Sequence, residues 1–162
     1  FNGGIIMAIN FPEGVQDAPF DANFVGDHGP TTSISNQNTW SDIGLETADI
    51  TVKDSNSKIV YYGFLGTEVD GTSTGHGVAR VQYSFNSGTS YTVHNYYNMT
   101  GSNDNSIGNG FMGYWSHGQS AGTTIRFRVQ YLKNGTTGNH TVADTGPGYS
   151  QVTRFVAFEV NT

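Results

Sequence analysis

Between Thr124 and Tyr131 the sequence alternates without a slip. Ile125, Phe127, Val129 and Tyr131 fall on one side, and Arg126, Arg128 and Gln130 on the other. A period of two over eight residues is the pattern of a strand with one dry face and one polar face. No stretch of the chain shows a sustained helical period. The alternation therefore confines the fold to sheets, and sheets must bury one face against another layer.

The rest of the chain repeats this pattern at short intervals. From Thr31 onward, "TTSIS" and "NTWSDIG" lead into "LETADITV"; with "KIVYYGFLG", "GVARVQYSF", "TSYTVHNYY", "FMGYWS", "TTIRFRVQYLK", "HTVA" and "VTRFVAFEV" they read as about nine strands. Polar turns such as "KDSNSK", "NSG" and "NGTTGN" separate them, and "TGSNDNSIGNG" reads as a long polar loop. Regular short strands with turns between them predict an antiparallel β-sandwich, jelly-roll-like in character. His94 is expected on the strand face of Thr92 and Tyr96.

The first thirty residues differ. "FNGGIIMAINF" is apolar, and Pro12 and Pro19 block a helix or a central strand. Residues 1–30 therefore read as an extended N-terminal arm before a β-domain over 31–162. Ile5, Ile6, Met7 and Ile9 are too apolar for a solvated tail. They cover either an edge of their own domain or a neighbouring subunit, and both readings stand. The sequence opens on Phe1, as a processed chain or an internal stretch of a longer one would.

Composition narrows the partners. Seven Lys and Arg against thirteen Asp and Glu leave a net charge of −6. Nucleic-acid binding needs a basic surface that displaces counterions, so this balance argues against it and against anionic lipid. No apolar run is long enough to span a membrane as a helix. The chain has no cysteine, which removes disulfides, thiolate catalysis and Cys-ligated zinc. Durability outside a cell would then rest on packing or oligomerisation.

The motifs that carry chemistry elsewhere are weak here. "GTSTG" and "GQSAG" match the hydrolase elbow, but each is followed by a strand rather than a helix, so Ser73 and Ser120 read as turn residues. His28, His76, His94, His117 and His140 show no metal-ligand spacing. Asp104 is a lone carboxylate in its loop, fewer than calcium wants. Asn98, Asn134 and Asn139 open glycosylation sequons, expected by accident in a chain rich in Asn and Thr. No cofactor, metal or catalytic residue is assigned, and an enzyme is not expected.

What remains are surfaces for partners. The closing strand carries Val156, Phe158 and Val160 on one face and Phe155 and Ala157 on the other. A strand apolar on both faces lies between two layers or between subunits, so Phe155 and Phe158 are candidate subunit contacts, together with the arm. Arg126 and Arg128 are expected against another chain or the arm, with Asp or Glu opposite. Tyr96 and Trp115, aromatics set among Asn, Gly and Ser, form a candidate glycan platform.

Over Thr31 to Val160 the chain resembles a β-module of tailed-bacteriophage virion proteins. The matching residues are Thr31 to Ser33, Trp40, Asp42 to Leu45 and Ser57 to Ile59, followed by the long strand of "SAGTTIRFRVQYLKNG". Such modules are similar to trimeric, tumour-necrosis-factor-like jelly rolls. The resemblance implies a homotrimeric capsid decoration or cement protein on the virion exterior, with the major capsid protein or another virion protein as partner. A receptor- or glycan-binding tail-fibre or spike module is the alternative. An extracellular filament joined by strand exchange of the arm is a third reading, from the arm itself. The resemblance assigns no catalytic residues.

Overall fold

The computed structural model describes residues 23–25, 32–69, 75–103, 107–134, 138–143 and 153–160. Ile5, Ile6, Met7 and Ile9 lie outside them, as do Ser73 and Asp104. Eleven strands are present among the described residues: β1 (Asn23–Val25), β2 (Thr32–Ile34), β3 (Trp40–Glu46), β4 (Ile50–Thr51), β5 (Lys58–Val69), β6 (Gly75–Ser84), β7 (Thr92–Asn103), β8 (Ile107–Trp115), β9 (Thr124–Asn134), β10 (His140–Ala143) and β11 (Arg154–Val160).

They form an all-β, antiparallel sandwich. In the front sheet β5 is central. It is flanked on one side by β8 and on the other by β11 and then β10, with β1 on the outer edge of β11 and β2 on β10. The back sheet runs β7-β6-β9-β3, and β4 pairs with the start of β9. A two-residue parallel pairing, Glu68 with Ser102 and Val69 with Asn103, joins the sheets at one end. β1 falls within the span read as an arm, and its three residues pair antiparallel with Phe155 to Ala157.

Alternation decides what faces the core. Ile125, Phe127, Val129 and Tyr131 of β9 are fully buried, as are Ile59, Tyr61 and Leu65 of β5 and Phe155 and Ala157 of β11. Tyr61 lies at the centre, its ring 6.0 Å from both Phe127 and Phe155. Phe111 joins from β8, 6.1 Å from Phe155. Its ring lies directly over Gly63, where a Cβ would fall inside it. Phe155 thus packs within its own sandwich.

Two local departures from the alternation stand out. The register of β6 and β7 shifts between Val81 and Gln82, which pair with Asn95 and Val93. His94 is the extra residue, and such a bulge re-aims a side chain. It packs against Tyr61, Trp115 and Tyr83 rather than lying on the face of Tyr96. The second departure is the expected long loop over 100–110. β7 runs on to Asn103 and β8 begins at Ile107, because the glycines there pair within strands opposite β5 and β6.

A buried polar bond links the two sheets. The Tyr131 hydroxyl lies 2.9 Å from Nδ1 of His140, both fully buried. Burial first, then the charges of Lys133 and His76, hold the His140 pKa below the ordinary 6.5. A histidine buried in its neutral form contributes stability that is present above 6.5 and lost as pH falls. Stability measured by urea unfolding should drop below pH 6.5 by up to about 1.4 kcal/mol per pH unit for this one group. His140→Gln should flatten that slope. His94, depressed by burial in the same direction, leaves a residual slope.

Candidate functional site

The outer face of the front sheet is the most unusual surface among the described residues. Outward positions on β5 are Lys58, Val60, Tyr62 and Phe64. On β8 they are Met112 and Tyr114, opposite Tyr62 and Val60. On β11 they are Arg154, Val156, Phe158 and Val160. Met112 is 72% exposed, Tyr114 70%, Tyr62 51% and Phe64 38%. Phe158 meets Tyr62 edge-on at 6.5 Å. Phe64 lies over Gly108, whose missing side chain leaves a flat floor. Lys58 Nζ is 5.7 Å from the Tyr114 ring centre. Scattered exposed apolar residues are ordinary, but a contiguous group on one sheet face marks an interaction surface. From this face the sequence marked only Phe158 as a candidate contact. The signal was available in β5, where Val60, Tyr62 and Phe64 alternate with the equally apolar Ile59, Tyr61 and Leu65.

The outer face of the back sheet is its opposite in character. Arg126 Nε donates to Asp49 at 2.7 Å and Nη1 to Glu46 at 3.2 Å. Arg128 Nε donates to Gln82 at 2.8 Å, Nη1 lies 3.8 Å from Asp42, and the guanidinium stacks 3.9 Å over Tyr91. Arg80 stacks on Trp40 at 4.2 Å and donates to Gln130. Hydrogen bonds from Ser87 and then Arg126 hold the Asp49 carboxyl below its ordinary value. The carboxylates expected opposite the arginines are present, and they come from β3 and the segment after it in the same chain. Partly exposed pairs of this kind contribute about 0–1 kcal/mol each.

Tyr96 and Trp115 do not share a surface. Tyr96 is exposed on the outer face of the back sheet, 5.8 Å from Trp40. Trp115 points inward from β8 into a cluster with Tyr83 at 4.3 Å, His94 at 5.5 Å and Phe85 at 5.9 Å. Beside that cluster lies an open pocket of about 240 Å³, lined by Tyr83, Ser84, Phe85, Asn86, Ser90 and Thr92. Its polar groups are engaged with one another: Asn86 bonds both Ser84 and Ser90.

Three buried polar residues that no motif announced meet beneath the 53–57 turn. Ser57 Oγ lies 3.0 Å from His117 Nε2 and hydrogen-bonds Glu159. Glu159 also accepts from the Lys53 N–H at 2.9 Å and the Asp54 N–H at 3.2 Å. His117 Nδ1 accepts the Gln119 N–H at 3.0 Å, which places the ring proton on Nε2, facing Ser57. A hydrolase needs that nitrogen bare to take the serine proton. Here it is a donor, and all three side chains are at most 5% exposed. The trio is a staple that ties the turn and the segment after β8 to β11. Among the described residues no three His, Asp or Glu converge to hold a metal.

No family model matches the chain, and no curated protein does. Solved structures do. A chain in the structure of infectious bursal disease virus Gx strain aligns over 88% of this chain and 36% of its own, with a TM-score of 0.47 and 12% identity. One from the Gt strain aligns over 97% and 43%, with a TM-score of 0.47 and 13% identity. This chain spans less than half the length of either.

Glu159→Gln tests the staple. The amide turns an N–H₂ toward backbone donors that need an acceptor, and a buried unsatisfied donor costs about 1–3 kcal/mol. Urea unfolding should show a loss of that size with an unchanged m-value. No loss would mean that water already supplies these donors.

Proposed function

We propose that this chain is a structural virion protein whose work is assembly: a homotrimeric decoration, or cement, protein on the exterior of a tailed-phage particle. The observation that carries the reading is the outer face of β8, β5 and β11, where Tyr62, Phe64, Met112 and Tyr114 stand exposed together. Such a face is costly to leave in water and useful only when covered. The virion setting comes from the resemblance over Thr31 to Val160. Its partners in that setting are further copies of itself and the major capsid protein or another virion protein.

A decoration protein has to hold together without disulfides, and this chain has no cysteine. Burying aromatic surface between subunits is the remaining route. The wiring of Ser57, His117 and Glu159 supports a non-catalytic role for the most enzyme-like cluster among the described residues. A tail-fibre module that binds a glycan is the second reading. The pocket over Tyr83 and Phe85 favours it, since a sugar's apolar face packs on such rings. The filament reading depends on residues 1–22 of the arm, which lie outside the described residues.

Light scattering and sedimentation at micromolar to tens-of-micromolar concentration test the assembly. The expected mass is three times that of the chain. A monodisperse monomer across that range would overturn the proposal. Saturable binding to surface glycans, lost on Phe85→Ala, would favour the fibre reading instead.

A further inference from the structure

We infer that Arg80, Gln130 and Tyr96, on the outer face of the back sheet, bind an oligosaccharide that carries one carboxylate, of the uronic or sialic acid class. The inference goes beyond the assembly reading and does not rest on it. It concerns the face opposite the one proposed to be covered.

Charge argues first. Arg126 and Arg128 each meet carboxylates on this face, whereas Arg80 makes no ion pair among the described residues. The surroundings act on the two kinds of arginine in opposite senses. Burial lowers the Arg80 pKa, and the charge of Arg128 adds to that shift. A hydrogen bond to Asp49 raises the pKa of Arg126. A partly buried cation without a counter-ion is a place where a bound anion removes a standing electrostatic cost.

Preorganisation argues next. Neutral groups alone hold the guanidinium. It stacks 4.2 Å over Trp40, and Nε, at 3.0 Å, and Nη2 both donate to Gln130 Oε1. These bonds use one edge of the fork. The edge formed by Nη1 and Nη2 suits a carboxylate, which arginine holds through two parallel hydrogen bonds. Gln130 is 8% exposed, and its amide N–H₂ has no acceptor among the described residues. Buried donors are normally satisfied. Because Oε1 touches the guanidinium, this second donor of the same amide lies at the same place.

The neighbours select the ligand. Tyr96, Arg80, Gln130 and Asp42 form one row across four strands. Tyr96 is 56% exposed at one end, and a pyranose packs the apolar C–H side of its ring on such an aromatic face. The Asp42 side chain is 57% exposed at the other end. It accepts hydrogen bonds from hydroxyls and repels a second negative charge, so a single carboxylate among hydroxyls fits where a phosphate dianion does not. The row is three strand spacings long, about 14 Å, the reach of a short oligosaccharide. A protein partner would need about 800 Å², and beyond this row the face is closed by its own ion pairs.

Ligand-observed NMR titration into the whole chain tests the inference. The probes are sialyllactose and glucuronosyl-xylobiose, trisaccharides with one carboxylate each, against neutral lactose and xylotriose. At least one acidic probe should bind saturably at millimolar concentration or below, about ten-fold or more tighter than its neutral counterpart, and added salt should weaken it. Arg80→Gln and Tyr96→Ala should each weaken binding about five-fold or more, while Arg126→Gln should leave it within about two-fold. Urea unfolding checks each variant, and the exposed change Tyr96→Ala keeps the test decisive if Arg80→Gln does not fold. Saturation by neither acidic probe, equal binding of the neutral sugars, or binding indifferent to Tyr96→Ala overturns the inference. Loss on Phe85→Ala instead would move the site to the pocket over Tyr83. Tighter binding of inorganic phosphate or of a short acidic peptide would make the ligand something other than a sugar. Either result also overturns it. None of these outcomes depends on oligomer mass, so this inference and the assembly reading fail separately.

Discussion

The two sheets are held in register by the ring of Tyr61. It is fully buried, touches Phe127 of the back sheet and Phe155 of the front, and takes His94 edge-on at 5.6 Å. Its hydroxyl reaches Tyr97 at 2.8 Å, so even its polar end is satisfied across the sandwich. Burial raises the pKa of that hydroxyl well above its ordinary value and keeps it neutral. Once Tyr61 faces inward, a period of two sends Val60, Tyr62 and Phe64 outward. The exposed aromatic face is thus fixed by the core, and β5 could not turn those side chains inward without exposing Tyr61.

The outer faces of the sandwich divide two tasks. Arg80 apart, the back face is complete within the chain. Its arginines stack on Trp40 and Tyr91 and meet Asp42, Glu46 and Asp49 nearby. The front face has broad rings, few charges and no carboxylate in its aligned block. A molecule with one finished surface and one apolar surface is suited to assembly in a defined orientation, and that contrast links the fold to the proposed role.

Much of the fold was legible because alternation reports burial directly. The inward set Ile125, Phe127, Val129 and Tyr131 and the doubly apolar β11 both follow from a period of two. The misplacements share a cause: each depends on a partner strand that periodicity cannot see. His94 turns inward because β7 holds one residue more than β6 at that point. The glycine-rich stretch before Phe111 extends β7 and β8 because it pairs with their neighbours. Arg126 and Arg128 find their carboxylates on β3 and just after it, some eighty residues earlier. Tyr96 and Trp115 look alike in sequence and lie on different sheets. The Ser57, His117 and Glu159 staple has no local signature, since it joins three segments far apart in the chain.

Met112 gives the most direct view of the central claim, that the β8, β5 and β11 face is covered when the protein assembles. At 72% exposure its thioether is open to oxidants in the isolated chain, and sulfoxide formation tracks accessibility. The decisive measurement is its oxidation rate by dilute peroxide, followed by peptide mass spectrometry from nanomolar to tens-of-micromolar protein. Buried Met99 serves as the internal reference. The account predicts that Met112 oxidises quickly when dilute and slows at least several-fold as the oligomer forms, while Met99 stays slow throughout. A Met112 rate that does not change between dilute and assembled protein would contradict it.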